Sequence, residues 1–109
     1  MAYNTAMADD IRMRLGSRSD VTERQMFGGI AFMVDGHMAV GVSGDELMVR
    51  VGKDAHDETV ALPAVRPFAK SGRGMTGWVL VAPDDLADDV DFEAWIDRGV
   101  AFAAALPPK

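Results

Sequence analysis

The chain has 109 residues, of which 49% are hydrophobic and 26% charged, the balance of one globular domain with its own core. It contains no cysteine, which excludes disulfides, thiolate nucleophiles and cysteine-based zinc sites. The net charge of −6 argues against direct nucleic-acid binding, because most non-specific affinity for nucleic acid comes from neutralising phosphates. There is neither an apolar run of the ~20 residues that span a bilayer nor a signal peptide, so we expect a cytoplasmic protein without membrane contact.

The chain begins with a predicted amphipathic helix over residues 5–15. Its apolar stripe consists of residues at intervals of four: Met7, Ile11 and Leu15. A strand over residues 21–27 follows. Gly28-Gly29 then indicates a bend or bulge between strands, with a backbone platform for a ligand as the alternative.

The next segment predicts three consecutive antiparallel strands, over residues 30–34, 37–42 and 46–51. Asp35-Gly36 between apolar runs favours a tight hairpin, because its turn needs positive φ angles. A two-residue turn places Ala31 opposite Val40. In that register one face of the sheet is continuously apolar, and we take it as the core side. The residues predicted for this core face are Ala31, Met33, Met38, Val40, Val42, Leu47, Val49 and Val51.

The opposite face of the same strands is also partly apolar. Ile30, Phe32 and Met48 fall on it in this register and are our candidate partner surface. The alternative is that the segment 60–68 covers this face within the same chain.

The second half of the chain predicts a short helix over residues 53–62, an irregular connection at Pro63 and Pro67, and a strand over residues 76–82. A final helix is predicted over residues 91–106, with Asp91 as its N-cap. The expected fold is α+β, in one domain over residues 1–109. An antiparallel sheet of about five strands carries the N-terminal and C-terminal helices on one face.

Signatures of catalysis are missing from the sequence. None of the serines lies in a Gly-x-Ser-x-Gly elbow, and His37 and His56 lack the spacing of metal ligands. The acidic run between Asp84 and Asp91 lacks the alternation of a calcium loop. We therefore expect no catalytic residues, no metal and no cofactor.

Basic residues near the middle of the chain offer an anion-binding alternative. The segment Lys70-Ser71-Gly72-Arg73-Gly74 is either a solvated loop or a nest of backbone N–H groups around an anion. The candidate ligand-binding residues are Arg50, Lys53, Lys70, Gly72 and Arg73.

Several motifs together resemble the TfoX N-terminal domain family over nearly the whole chain. They are Met26-Phe27-Gly28-Gly29, Asp35-Gly36, Leu47-Met48-Val49-Arg50-Val51, Pro67-Phe68, Met75, Trp78, Pro83, Trp95 and the closing Leu106-Pro107-Pro108-Lys109. The closing residues resemble a stand-alone bacterial branch of that family. The resemblance implies a fold similar to secretion chaperones, without established catalytic residues.

The family resemblance also bears on function. The family includes the regulator of natural competence, which acts with a cyclic-AMP-dependent transcription factor and carries a second, helical domain. This sequence ends at Lys109, so a role in competence is not expected. We expect a small, non-enzymatic regulatory domain that contacts a protein partner or a second copy of itself. The alternative is a domain that binds or transforms an anionic metabolite through Arg50, Lys53, Lys70 and Arg73.

Overall fold

The computed structural model describes residues 3–16, 18–26, 28–70 and 73–107 and has an α+β fold. Its helices are α1 (Thr5–Arg14), α2 (Lys53–Val60) and α3 (Asp89–Ala104), with a 3-10 turn at Pro83–Leu86 before α3. Its strands are β1 (Val21–Met26), β2 (Gly29–Val34), β3 (His37–Ser43), β4 (Glu46–Arg50), β5 (Val65–Lys70) and β6 (Arg73–Val81). None of the helices in these ranges is long and apolar enough to cross a membrane.

The strands form one antiparallel sheet in the order β1-β2-β3-β4-β6-β5. The strand that the sequence did not predict is β5, which replaces the expected irregular connection and extends to Lys70. Proline usually excludes a strand because it cannot donate to the ladder. Since β5 lies at the edge of the sheet, Pro67 is tolerated there. Arg73 also begins a strand, so the predicted basic loop is shorter than expected.

The helices cover one face of the sheet, as predicted, and the main core lies between them. Ile11 from α1 and Ile96 from α3 pack there against Val40 and Val49 of the central strands. The beginning of α3 differs from the prediction, because Asp88 and not Asp91 is the N-cap. Its carboxylate accepts a hydrogen bond of 2.8 Å from the backbone N–H of Val90.

The register between β2 and β3 corrects the predicted assignment of faces. The hairpin turn is as expected, with positive φ at Asp35 and Gly36 and with Val34 paired to His37. One step later the register shifts, since Met33 pairs with Met38 but Phe32 pairs with Val40. Ala39 is thus the extra residue of a β-bulge.

The bulge reverses the predicted orientation of β2. Ala31 lies opposite Gly41 and not Val40, so Ile30 and Phe32 point towards the helices together with Val42. Both side chains are buried in the main core, with 5% and 1% of their surface exposed. Their assignment to an outer patch was wrong, because a one-residue bulge exchanges the two faces of a strand.

The other face of the sheet carries a second, smaller apolar cluster. It consists of Ala31, Met38, Met48, Phe68 and Leu80, with Met33 and Trp78 partly buried against it. Met48 is 1% exposed, so this face offers no open patch at that position. Phe68 contributes its side chain to this cluster from the edge strand β5, whereas Val60 and Val65 pack with the main core on the other face.

Candidate functional site

A cavity of about 640 Å³ opens at the carboxyl end of β4. The end of β4, the first turn of α2, a bend in β6 and the last part of α3 meet there. The lining consists of Arg50, Val51, Gly52, Lys53, Asp54, Ala55, Gly77, Trp78 and Phe102.

A bend at Gly77 shapes the floor of this cavity. Its backbone has a φ of 94°, and its carbonyl accepts hydrogen bonds from the N–H groups of Val51 and Gly52, at 2.8 and 3.2 Å. The N–H of Gly77 donates to Nδ1 of His56, at 2.9 Å. These bonds tie the connection between β4 and α2 to β6 and therefore fix the position of the residues around it.

Arg50 is the charged group at the centre of the site. Its guanidinium carbon lies 4.8 Å from the ring centroid of Trp78, its partner across the β4–β6 ladder, and 5.2 Å from that of Phe102 on α3. Burial lowers the pKa of Arg50, but an arginine stays charged at neutral pH. The two aromatic rings stabilise that charge through their π faces.

Arg50 has no anionic partner and lies in a cavity, whereas Arg24, which also has no ion pair among the described residues, is exposed on β1. Of the arginines whose side chains the structure describes, four form ion pairs with carboxylates: Arg12, Arg14, Arg18 and Arg66. Arg98 donates to the Thr59 hydroxyl, at 2.8 Å. Within the described part of the chain, the Arg50 guanidinium has no hydrogen-bond acceptor and no ion pair. Its N–H donors are therefore available to a ligand in the cavity.

The rim of the cavity carries two further charges. Lys53 and Asp54 form the first turn of α2 and are both exposed. The helix has Gly52 at its N-cap, without a side-chain capping bond, and a negative charge at Asp54 is favoured there by the helix dipole. The described lining of the cavity thus presents two cations, Arg50 and Lys53, and one carboxylate, Asp54.

Comparison with known proteins identifies the family of this chain. The sequence model of the TfoX N-terminal domain matches residues 14–103. The chain belongs to the TfoX N-terminal domain family. Comparison with curated proteins returns no match. The matched region includes Arg50, Trp78 and Phe102, so the cavity lies within the TfoX N-terminal domain itself.

The described residues include two members of the predicted anion site of this TfoX N-terminal domain at one place. Arg50 and Lys53 line the same cavity, as the alternative hypothesis required. Lys70 and Arg73 are backbone partners in the β5–β6 hairpin, where their side chains are outside the described part of the structure. Gly72 lies entirely outside the described residues.

The three candidate partner-surface residues do not form one surface. Ile30 and Phe32 lie in the core under the helices, whereas Met48 belongs to the cluster on the opposite face of the sheet. A partner that approaches the folded domain therefore meets none of these three side chains as an exposed apolar patch.

Sequence reasoning missed Trp78, Phe102 and Asp54 as parts of the site. Trp78 comes opposite Arg50 only because β6 pairs with β4, and this pairing of distant strands has no local signal. Phe102 is only half-buried and is not among the buried residues of α3, which are Phe92, Trp95, Ile96, Gly99, Val100 and Ala103.

Both histidines make hydrogen bonds to the backbone. Nε2 of His37 lies 2.6 Å from the carbonyl oxygen of Pro107, to which its N–H donates. His56 accepts from Gly77, as described above. In the described ranges, no group of three His, Asp or Glu residues is placed to hold a metal ion.

Proposed function

We propose that this TfoX N-terminal domain is a non-enzymatic binding domain that takes up a small anionic ligand in the cavity at Arg50. The observation that carries this proposal is the guanidinium of the half-buried Arg50, which lies against two aromatic rings and has no acceptor among the described residues. None of the described side-chain nitrogens is buried without a hydrogen-bond partner, so the N–H groups of Arg50 face water in the cavity. A bound anion would replace this water with charge-assisted hydrogen bonds.

The geometry favours a carboxylate or phosphate group as the part that Arg50 recognises. The rings of Trp78 and Phe102 lie against the guanidinium, so the N–H groups along its edge are the donors that a ligand can reach. Two parallel N–H donors match two oxygens of a carboxylate or phosphate. Lys53 at the rim adds a second cation. The volume of about 640 Å³ lies within the usual ~300–1,000 Å³ of small-molecule sites.

The other hypothesis from the sequence was a regulatory domain that acts through protein contacts. Family membership supports it, but its structural argument was the outer patch of Ile30, Phe32 and Met48. Because Ile30 and Phe32 are core residues here, the geometry favours the ligand-binding alternative. A regulatory role remains compatible with a ligand, whose presence would be the signal.

The two tryptophans allow a direct test in the native sequence. Trp78 lies at the cavity, whereas Trp95 lies in the core beside Arg98 and serves as an internal control. We would follow both indole N–H signals by NMR during titration with inorganic phosphate, citrate, adenosine monophosphate and 3-phenylpropionate. We expect at least one of these probes to shift the Trp78 signal saturably while the Trp95 signal stays in place.

The matched variants for this test are Arg50→Gln and Arg24→Gln. Arg24 is exposed on β1, at the opposite edge of the sheet from β5, and does not line the cavity. A hydrogen bond to a charged group contributes ~1.5–3 kcal/mol, so Arg50→Gln should weaken binding roughly tenfold or more. Arg24→Gln should leave it unchanged. Equal affinities in the two variants, or no response at Trp78 to any probe, would refute the proposal.

A further inference from the structure

The cavity carries charges of both signs, and this restricts the class of ligand. Arg50 lies inside between its two rings, and Asp54 lies at the rim on α2. Within the described ranges Asp54 forms no ion pair with Arg50 or with any other cation. Because the two side chains do not neutralise each other and both line the cavity, a ligand there can contact both.

A purely anionic ligand uses only half of this arrangement. Its negative group would gain from Arg50 and Lys53 but would be repelled by the carboxylate of Asp54, and a dianion would be repelled more strongly. If the ligand also carries a positive group beside Asp54, the carboxylate attracts that group, and this attraction offsets the repulsion of the negative group. Lys53 does not oppose such a group strongly, because its exposed, flexible side chain can turn towards water.

The other side chains of the described lining are apolar. Trp78 and Phe102 are half-buried, and Val51 and Ala55 lie with them beside the backbones of Gly52 and Gly77. Aromatic rings that are partly exposed in a cavity favour a ligand with an apolar or flat body, which covers them from water.

We propose that the ligand is amphoteric, with a carboxylate bound by Arg50, an ammonium group bound by Asp54 and an apolar body against Trp78 and Phe102. This inference rests on the proposed function and makes it more specific. An α-amino acid with an apolar side chain and a short peptide both have this chemistry, and the cavity volume of about 640 Å³ admits either.

The test compares four probes that differ by one group. L-phenylalanine has the carboxylate, the ammonium and the ring. 3-Phenylpropionate lacks the ammonium, 2-phenylethylamine lacks the carboxylate, and glycyl-L-phenylalanine separates the two charges as a short peptide does. Dissociation constants come from the indole signal of Trp78, with Trp95 as the internal reference. We expect L-phenylalanine or glycyl-L-phenylalanine to bind more tightly than either single-charge probe.

The expected preference is moderate, because Asp54 is exposed to water. An ion pair at such a position corresponds to roughly a two- to fivefold change in affinity. The variant Asp54→Asn should remove this preference and leave the affinity for 3-phenylpropionate equal or slightly higher. The control Asp45→Asn makes the same change of charge in the turn between β3 and β4, outside the cavity, and should preserve the preference.

The outcomes separate this inference from the proposed function. If 3-phenylpropionate binds through Arg50 as tightly as L-phenylalanine, and Asp54→Asn changes nothing, the amphoteric ligand is refuted and the anion site stands. If none of the four probes binds, the amphoteric ligand is likewise refuted, and the titrations with phosphate and citrate decide the anion site. Tighter binding of glycyl-L-phenylalanine supports a peptide terminus, and tighter binding of L-phenylalanine supports a free amino acid.

Discussion

Replacement of Gly52 by alanine tests how the cavity is built. Gly52 precedes α2 with φ 87° and ψ 161°, a backbone region that is essentially restricted to glycine. A Cβ at this position would overlap the ring of Phe102 and lie 2.9 Å from its Cζ atom. The substitution therefore combines backbone strain with a steric clash in the wall of the cavity.

The expected loss of stability follows from these two contributions. Backbone strain of this kind costs on the order of 1–3 kcal/mol. Overpacking costs about 1–3 kcal/mol in a tight core, and the lower value applies here because the half-buried Phe102 ring can move outwards. We expect Gly52→Ala to lower the free energy of unfolding by roughly 2–4 kcal/mol. A typical domain stability of ~5–15 kcal/mol would leave the variant folded.

Gly44→Ala is the matched control in a urea-unfolding experiment. Gly44 also has a positive φ, of 58°, but a Cβ there would meet nothing within 4 Å. Gly44→Ala should lower the free energy of unfolding only by the strain of a left-handed residue, ~1–2 kcal/mol. Combining Gly52→Ala with Phe102→Ala should recover the steric part, so the two substitutions should not be additive. Equal losses for the two glycine variants, together with additivity in the double variant, would contradict the packing described here.

Three further predictions concern the core and its surface. Thr59→Val removes a buried hydroxyl that bridges α2 and α3, so we expect a loss of ~1–2 kcal/mol in urea unfolding. The hydrogen bond from Arg12 holds the pKa of Glu23 below its ordinary value of 4.5, so this pair stabilises the fold above that pH and its contribution is lost on further acidification. Because Arg12 and Glu23 are 45% and 35% exposed, the effect should stay below ~1 kcal/mol and disappear in Glu23→Gln. Phe32→Ala should cost ~3–5 kcal/mol and Met33→Ala clearly less, whereas the face assignment without the bulge predicts the opposite order.

The β2–β3 hairpin shows what the sequence can and cannot predict about this fold. The turn at Asp35-Gly36 was predicted correctly, because only a few residue types fit the positive φ angles that such a turn needs. The bulge at Ala39 was missed because a single extra residue within an apolar run has no local signal. Since the side chains alternate, this one residue decided which face Phe32 occupies.

The candidate site was predicted in part for a similar reason. Arg50 ends β4 and Lys53 begins α2, so their proximity in the fold follows from their closeness in the sequence. The aromatic walls of the cavity are Trp78 on β6 and Phe102 on α3, and Trp78 lies beside Arg50 because β6 pairs with β4. The sheet places β6 between β4 and β5. Because the sequence did not predict β5, it did not predict this strand order either.

An anion site in a chain with a net charge of −6 is physically consistent, because a site responds to its local charges more than to the net charge. Many of the acidic groups are already engaged: Asp9, Asp10, Asp20, Glu23, Glu46 and Asp89 pair with arginines. Around Arg50 the aromatic rings hold the cation without neutralising it, since a π face stabilises a charge and leaves its hydrogen-bond donors unused. A carboxylate partner at the same position would have occupied those donors. The aromatic pair therefore positions Arg50 and also keeps it available to a ligand.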